Sequence, residues 1–333
     1  MKWIVIAAAA LALGGCQSIA YYTQAIGGHL KVLARARPVS DWLADPATSP
    51  ELRERLDAAR RIREFASQRL KLPENASYLS YAELDRSYVV WNVFAAPRFS
   101  VEPKKECFPF TGCVSYRGFY AEEDARRHAD KLRAEGYDVH VGGVRAYSTL
   151  GWFDDPLLST FIRVPDTELA RLVFHELAHQ VVYVRGDTTF NESFAVAVEE
   201  AGVKEWLEHQ GRAAELDAFR VTQSRKREFA ARVARTRERL QLVYRMQISP
   251  EAMLEQKRGE WTRLRTSYPG LPEEANNAFL ASVAVYTELV PAFEALLAES
   301  GSLEAFYTRV KSLSRDAAQR EAFLTKAGYR RSS

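Results

Sequence analysis

The sequence has little excess charge and no long basic run. Its 46 lysines and arginines are nearly balanced by 43 aspartates and glutamates, which leaves a net charge of +3. Its basic residues are not accompanied by a motif that would stack on bases. We therefore expect no nucleic-acid partner. The length of 333 residues is enough for one large domain or two modest ones with a buried core.

The apolar run near the N-terminus is short. Residues 3–13 follow a basic start and are too few to cross a membrane comfortably, which is typical of a secretory signal. The segment "LGGC" that ends at Cys16 resembles the bacterial lipobox. The resemblance implies that residues 1–16 are a lipoprotein signal peptide and that Cys16 carries the lipid. Gln17 in the next position implies the outer membrane, facing the periplasm. An ordinary signal peptide with an incidental cysteine is the alternative.

Cysteine is scarce, with three residues in the whole chain. Apart from Cys16, Cys107 and Cys113 form an even pair in a chain expected to be exported. In an oxidising compartment such a pair favours a disulfide. Two free buried thiols are the alternative, and a second metal site is disfavoured because no other His or Cys lies close in sequence.

The periodicity of apolar residues predicts an α+β fold that is mostly helical. Residues 17–70 have apolar positions three and four apart and are expected to form an N-terminal helical segment. Residues 71–210 are expected to form the core of the protein. Residues 211–333 predict a helical C-terminal region, without internal repeats or low-complexity segments.

Within the central segment, local composition predicts strands as well as helices. Residues 87–101, 112–120 and 137–148 are rich in Val, Tyr, Phe and Trp and predict strands. Residues 121–136 predict a helix that ends at a glycine. In the C-terminal region, a long helical hairpin is expected to break near "ISP" at 248–250.

The segment "HELAH" places two histidines four residues apart. On a helix, His175 and His179 share one face and can bind one Zn²⁺, with Glu176 beside them to reach a water. We expect Asp166 to cap this helix and Gly186 to terminate it. The spacing therefore predicts the metal site of a zinc hydrolase.

A second helix supplies the remaining acidic residues. Glu192 lies 13 residues after His179, which is far enough for the chain to reverse and complete a His₂Glu zinc set. Glu199, two turns further on, is expected to accept the free N–H of His175. Glu200 should point away from the site. A buried polar cluster without metal is the alternative, but unpaired ionisable groups in a core are costly.

These residues resemble the zinc motif of gluzincin metallopeptidases of the aminopeptidase N type. The resemblance implies that His175, His179 and Glu192 are the zinc ligands, Glu176 the general base and Glu199 the glutamate behind the ligands. This chain has a shorter spacer before the third ligand, and it lacks the G-x-M-E-N segment that captures the substrate amino terminus in that family. These two differences affect the expected substrate specificity and leave the residues of the metal site unchanged.

Most of the chain is also similar to the predicted aminopeptidase lipoproteins of Gram-negative bacteria. The similarity covers the lipobox, "YYTQAIGGHL", "CFPFTGCVSYRGFY", "GWFDDPLLSTF", the zinc motif and "NNAFLASVAVYTELVPAF". It implies a zincin-like fold, with a small mixed sheet packed on the HExxH helix and a helical C-terminal part.

Together these features predict a zinc-dependent peptidase of the aminopeptidase type at the cell envelope, which acts on a peptide substrate with one zinc ion per chain. Tyr147 and Tyr286 are candidates for stabilising the oxyanion. The strand before Tyr147 could pair with an extended peptide. The alternative from another class is a non-catalytic binding or assembly lipoprotein with a structural zinc site.

Overall fold

The computed structural model describes residues 23–108 and 112–328. Residues 1–16, expected to be a lipoprotein signal peptide that ends at Cys16, lie outside the described residues. Helices predominate and the strands are short, so the expected mostly helical α+β fold is confirmed.

The N-terminal part consists of helix α1 over residues 23–33, strand β1 (Arg37–Pro38), and helices α2 (Val39–Ala44) and α3 (Pro50–Gln68). The start of α3 was predicted from "SPE". Ser49 accepts a hydrogen bond from the Leu52 backbone N–H, and Pro50 occupies the first helical position.

The strands form three small sheets in the described residues. The first has the order β1-β2-β8, in which β2 is Ser80–Ala82 and β8 is Leu157–Leu158. The second is antiparallel with the order β6-β3-β7, and the third is the hairpin β4-β5. Their bounds are β3 (Val90–Pro97), β4 (Glu106–Phe108), β5 (Gly112–Val114), β6 (Arg117–Phe119) and β7 (Tyr137–Val144).

The expected single mixed sheet is therefore divided. The β1-β2-β8 sheet is mixed and shares a buried cluster with the HExxH helix. The larger β6-β3-β7 sheet instead packs between α4 (Glu122–Ala134) and a C-terminal helix, α10. The sheets stay separate because β2 pairs with β1 and β8 and has no ladder to β3 in the described residues.

The β4-β5 hairpin carries both remaining cysteines. Cys107 and Cys113 are directly paired across it and joined by a disulfide. The hairpin lies against the loop that contains Gly186, because a Cβ atom on Gly112 would lie 2.9 Å from the backbone nitrogen of Gly186.

The helices that carry the zinc motif are α6 (Asp166–Val181) and α7 (Thr188–His209), preceded by the short α5 (Ser159–Ile162). Asp166 does not cap α6: Pro165 holds the N-cap position and Asp166, the first helical residue, pairs with Arg55. Gly186 does not end α6 either, because the chain is already extended at Val182. With φ of +79°, Gly186 instead turns the chain towards α7.

The C-terminal region is helical, as predicted, and the break in the hairpin at 248–250 is confirmed. Its helices are α8 (Ala213–Tyr244), α9 (Pro250–Ser267), α10 (Asn277–Thr287), α11 (Val290–Ser300), α12 (Leu303–Arg315) and α13 (Ala317–Lys326). Within the described residues, the stretch Asn277–Ser300 is long and apolar enough to cross a membrane. Both α10 and α11 pack against α7, and α10 also packs on β3, which is typical of core helices.

The main buried cluster surrounds α6 and α7. It contains Ile62 and Phe65 from α3, Phe174 from α6 and Phe293 from α11, all at most 6% exposed. The three segments expected for the mature chain thus contribute to one core, and the boundaries at 70 and 210 stay predictions. The two helices of the zinc motif are held from several sides.

Candidate metal centre

The turn between α6 and α7 brings the two halves of the motif together. The side chain of Asn191 accepts a hydrogen bond from the Val184 backbone N–H at 2.7 Å and donates one to the Val184 carbonyl at 2.9 Å. Asp187 caps α7 by accepting a hydrogen bond from the Phe190 N–H. These contacts place Glu192, near the start of α7, beside His179, near the end of α6.

Three buried side chains converge on one point. The Nε2 atoms of His175 and His179 are 3.2 Å apart, and Oε2 of Glu192 lies 3.3 Å and 3.5 Å from them, respectively. Tetrahedral ligands at zinc bond lengths are separated by about 3.3 Å. The group His175, His179 and Glu192 could therefore hold a metal ion, as the sequence predicted.

Glu199 orients the first histidine, in the place expected for it. Nδ1 of His175 lies 2.8 Å from Oε2 of Glu199. When Nδ1 donates its proton to this carboxylate, the lone pair of Nε2 points to the meeting point of the three ligand atoms. In that tautomer the ring of His175 would suit a metal ligand.

Arg171 extends this arrangement, and the sequence analysis missed it. Its Nη1 donates to both carboxylate oxygens of Glu199, at 3.0 Å and 2.9 Å, and its side chain also pairs with Glu168. Arg171 lies four residues before His175 on α6, so helical spacing alone places both on one face. The four-residue spacing could therefore have identified Arg171 from the sequence.

The charges of the cluster suit a divalent cation. When both imidazoles are neutral and Glu176, Glu192 and Glu199 are ionised, Arg171 leaves two negative charges in a buried place. Burial by itself lowers the pKa of His175, but the adjacent carboxylates raise it to about 10. Burial opposes ionisation of Glu192, yet the imidazoles lower its pKa to about 2. The carboxylates thus favour positive charge at this point, which either a proton on His175 or a bound cation would supply.

Glu176 lies beside the ligands and is buried, with 8% of its surface exposed. Burial raises the pKa of its carboxyl group. It lines a cavity of about 680 Å³ together with His175 and Tyr286. A carboxylate at this position can therefore reach a molecule held in the cavity as well as the metal position.

Of the two candidate tyrosines, the structure brings only Tyr286 to the site. Burial, with the negative charges of Glu192 and Glu176, raises the pKa of Tyr286 far above its usual value. Tyr147 instead forms a 2.6 Å hydrogen bond with Nδ1 of His29 on α1. It lies after β7, where it packs against Tyr120, and it does not line the cavity as the described residues define it.

Other tyrosines lie near the acidic groups, although sequence reasoning did not find them. Burial and the charge of Glu192 both raise the pKa of Tyr116, and burial and Glu176 do the same for Tyr78. Both come from loops or strand ends far from α6 in sequence. No spacing in the sequence around them indicates that these tyrosines lie near the site.

The rest of the cavity wall comes from α8, α10, α11 and the end of β7. Glu200 does not contact the ligands in the described structure, as expected, but it lines this cavity. There it pairs with Arg227 of α8 at 2.7 Å. Strand β7 lies at the edge of its sheet, and Val144, Arg145 and Ala146 at its end line the same cavity. An extended chain could therefore run beside β7 towards the ligands.

Residues 20–324 match the model of one protein family, whose description reads "Putative aminopeptidase". No curated protein and no solved structure matches the chain. The matched range contains both ligand helices and the whole wall of the cavity. The chain therefore belongs to the family described as "Putative aminopeptidase".

Proposed function

We propose that the protein is a zinc-dependent peptide hydrolase of the aminopeptidase type that acts at the bacterial cell envelope. The observation that carries the proposal is the position of Glu176. This carboxylate is buried next to the His175, His179 and Glu192 group and also lines the cavity. A structural zinc site has no use for such a group.

In the proposed reaction, the three ligands would hold the ion. Bound zinc supplies a Lewis acid that polarises a carbonyl and eases the loss of a proton from water. Glu176 accepts that proton and later delivers it to the leaving amine, which is the task of a general base that becomes a general acid. Glu199 and Arg171 keep His175 oriented while this happens.

Tyr286 is the proposed hydrogen-bond donor to the oxyanion. Its raised pKa keeps the phenol protonated at neutral pH, so its O–H can donate. Its place on the cavity wall with Glu176 supports this role. Tyr147 is bonded to His29 and is not included in the proposal.

We also propose the type of the metal site, the location of the protein in the cell and the position of its substrate. The arrangement of HExxH on α6 and Glu192 on α7 supports a zincin-like site of the gluzincin type. The lipobox supports a lipid anchor at Cys16 and a position at the outer membrane, facing the periplasm. The peptide substrate would lie along the edge of β7.

The decisive variant is Glu176→Gln, which keeps the shape of the side chain but removes its basicity. Purified protein would be assayed for zinc by elemental analysis and for cleavage of one peptide with a free and with an acetylated amino terminus. We expect the variant to keep its zinc and to lose about 10²–10⁴-fold in rate. Glu205→Gln, on the same helix as Glu192 but paired with Arg69 outside the cavity, is the matched control.

The outcomes separate the alternatives. Cleavage of only the unblocked peptide supports the aminopeptidase type, and cleavage of both indicates an endopeptidase. Wild-type protein that binds zinc but cleaves neither would favour the non-catalytic binding or assembly role.

A further inference from the structure

Four large apolar side chains are exposed at one corner of the protein. On α1, Ile26 is 58% and Leu30 is 52% exposed, and in the loop over residues 149–153, Trp152 is 82% and Phe153 is 48% exposed. We call these four residues the apolar corner. Exposed apolar clusters of this kind mark interaction surfaces more often than isolated apolar residues do.

Helix α1 and the loop that carries Trp152 meet where Phe153 packs against the buried His29. The ring of Phe153 lies 4.7 Å from the ring of His29, measured between centroids. Ile26 and Leu30 are one helical turn apart and share one face of α1, beside His29. The corner is thus one surface built from two elements.

The loop that presents Trp152 is held in place. The backbone N–H and the hydroxyl of Thr149 donate to Oδ2 of Asp155, at 2.7 Å and 3.0 Å. The Phe153 N–H donates to the Thr149 hydroxyl at 3.1 Å. A loop fixed by its own side chains presents Trp152 to solvent as part of the fold.

The corner lies apart from the cavity that His175 and Glu176 line. Among the described residues, neither its helix nor its loop lines the cavity that contains His175 and Glu176. The lining of this cavity therefore does not assign the corner to the peptide substrate.

The position of α1 along the chain points to one occupant, the membrane that would hold the anchor. Cys16, the proposed site of lipidation, precedes residue 23 by seven residues, so the anchor lies within about 25 Å of the start of α1. Tryptophan is enriched at the interfacial layer of membranes, where its ring meets both apolar and polar groups. We propose that the apolar corner rests in the interfacial layer of the phospholipid bilayer that holds the anchor. The proposal rests on the lipid anchor and not on the proposed hydrolysis.

The test uses the full lipidated protein in vesicles of phosphatidylethanolamine and phosphatidylglycerol. Because Cys107 and Cys113 are bonded and Cys16 would carry the lipid, a cysteine introduced at one position becomes the only free thiol. Trp152→Cys would carry an environment-sensitive fluorophore. Val221→Cys, on α8 and as exposed as Leu30, is the matched control. Flotation of the vesicles, zinc content and peptide cleavage are measured on the same samples.

A nitroxide-labelled lipid should remove most of the emission at position 152 and little at position 221. Adding Leu30→Asp to Trp152→Cys should restore much of the lost emission, because a charge at the corner opposes insertion. Equal emission at the two positions in floating vesicles would overturn the proposal and leave the anchor and the hydrolysis standing. Protein that fails to float would overturn both anchor and corner. Shielding from aqueous iodide without quenching by the lipid nitroxide would assign the corner to a contact with a second copy of the chain and overturn the proposal.

Discussion

At the scale of single residues, Arg171 determines how firmly His175 is oriented. The guanidinium holds Glu199 by two hydrogen bonds, and Glu199 holds the imidazole by one. We expect Arg171→Met to raise the dissociation constant for zinc by roughly tenfold, the size typical of groups that orient metal ligands. Competition with a fluorescent chelator measures this.

Arg227→Met is the control for the same measurement. Arg227 lines the same cavity but pairs with Glu200 and Glu294 instead of the ligand set. Its loss should leave zinc affinity near that of the wild type. An unchanged dissociation constant in a folded Arg171→Met protein would show that Glu199 orients His175 without help.

Asp155 gives the protein a dependence of stability on pH. Burial raises the pKa of its carboxyl to about 7, despite the hydrogen bonds from Thr149. The folded state therefore holds a proton that the unfolded state releases between about pH 4 and 7, and the free energy of unfolding falls as the pH rises through this range.

Asp155→Asn should remove that part of the pH dependence. Relative to wild type, the variant should gain stability between pH 5 and pH 8 by at most a few kcal/mol, because the neutral amide needs no proton. Urea unfolding at both pH values measures the difference, with the exposed Asp154→Asn as control. A difference from wild type that is the same at both pH values would contradict the assignment.

At the scale of elements, Gly202 permits α7 to pack closely against its neighbours. A Cβ atom there would lie 2.7 Å from Leu70 and 2.9 Å from Phe174, both fully buried. Alanine favours a helix over glycine by about 1 kcal/mol, but overpacking of a core costs about 1–3 kcal/mol. We expect Gly202→Ala to lower the free energy of unfolding.

Gly259 on α9 provides the matched comparison. Apart from its chain neighbours and the nearby backbone of its own helix, no heavy atom of the described structure lies within 4 Å of the position its Cβ would take. Gly259→Ala should therefore gain up to about 1 kcal/mol in denaturant unfolding. If both substitutions stabilise the protein equally, the contact between α7 and its neighbours is not tight.

The elements of the site that obey helical spacing were predictable from the sequence. His175 and His179 share a face of α6, and Glu192 and Glu199 share a face of α7, because spacings of four and seven residues follow from the helical repeat. One short turn then brings the two faces together. Arg171 obeys the same rule and could have been found.

Features that depend on distant segments were not predictable in this way. Tyr286 lies on α10 and lines the cavity of the site, whereas Tyr147 forms a hydrogen bond with His29 on α1. The sequence around each tyrosine does not distinguish these two positions. The division of the strands into separate sheets likewise depends on which edges pair. Helix α6 also ends earlier than expected. It ends at Val181 because the chain becomes extended at Val182, and not at Gly186 as the sequence predicted.

At the scale of the whole molecule, the metal should contribute to stability. The proposed ligands come from two core helices, so the ion is expected to bind only the folded state. Such binding raises the free energy of unfolding by about 2.7 kcal/mol when the free ion concentration is 100 times Kd. Calorimetry should show a lower Tm after chelation and its recovery when zinc is added. His179→Ala should abolish the zinc-dependent part of this change. An equal zinc response in His179→Ala would contradict the ligand assignment.

The short connection between α6 and α7 also has a consequence for the order of folding. All three proposed ligands lie within residues 175–192, whereas the cavity wall requires α8, α10 and α11, more distant in sequence. Contacts between neighbouring segments form faster than those that close long loops. The folding chain would thus assemble the α6–α7 hairpin that carries the proposed ligands first, and would be able to bind its ion before the cavity wall has formed.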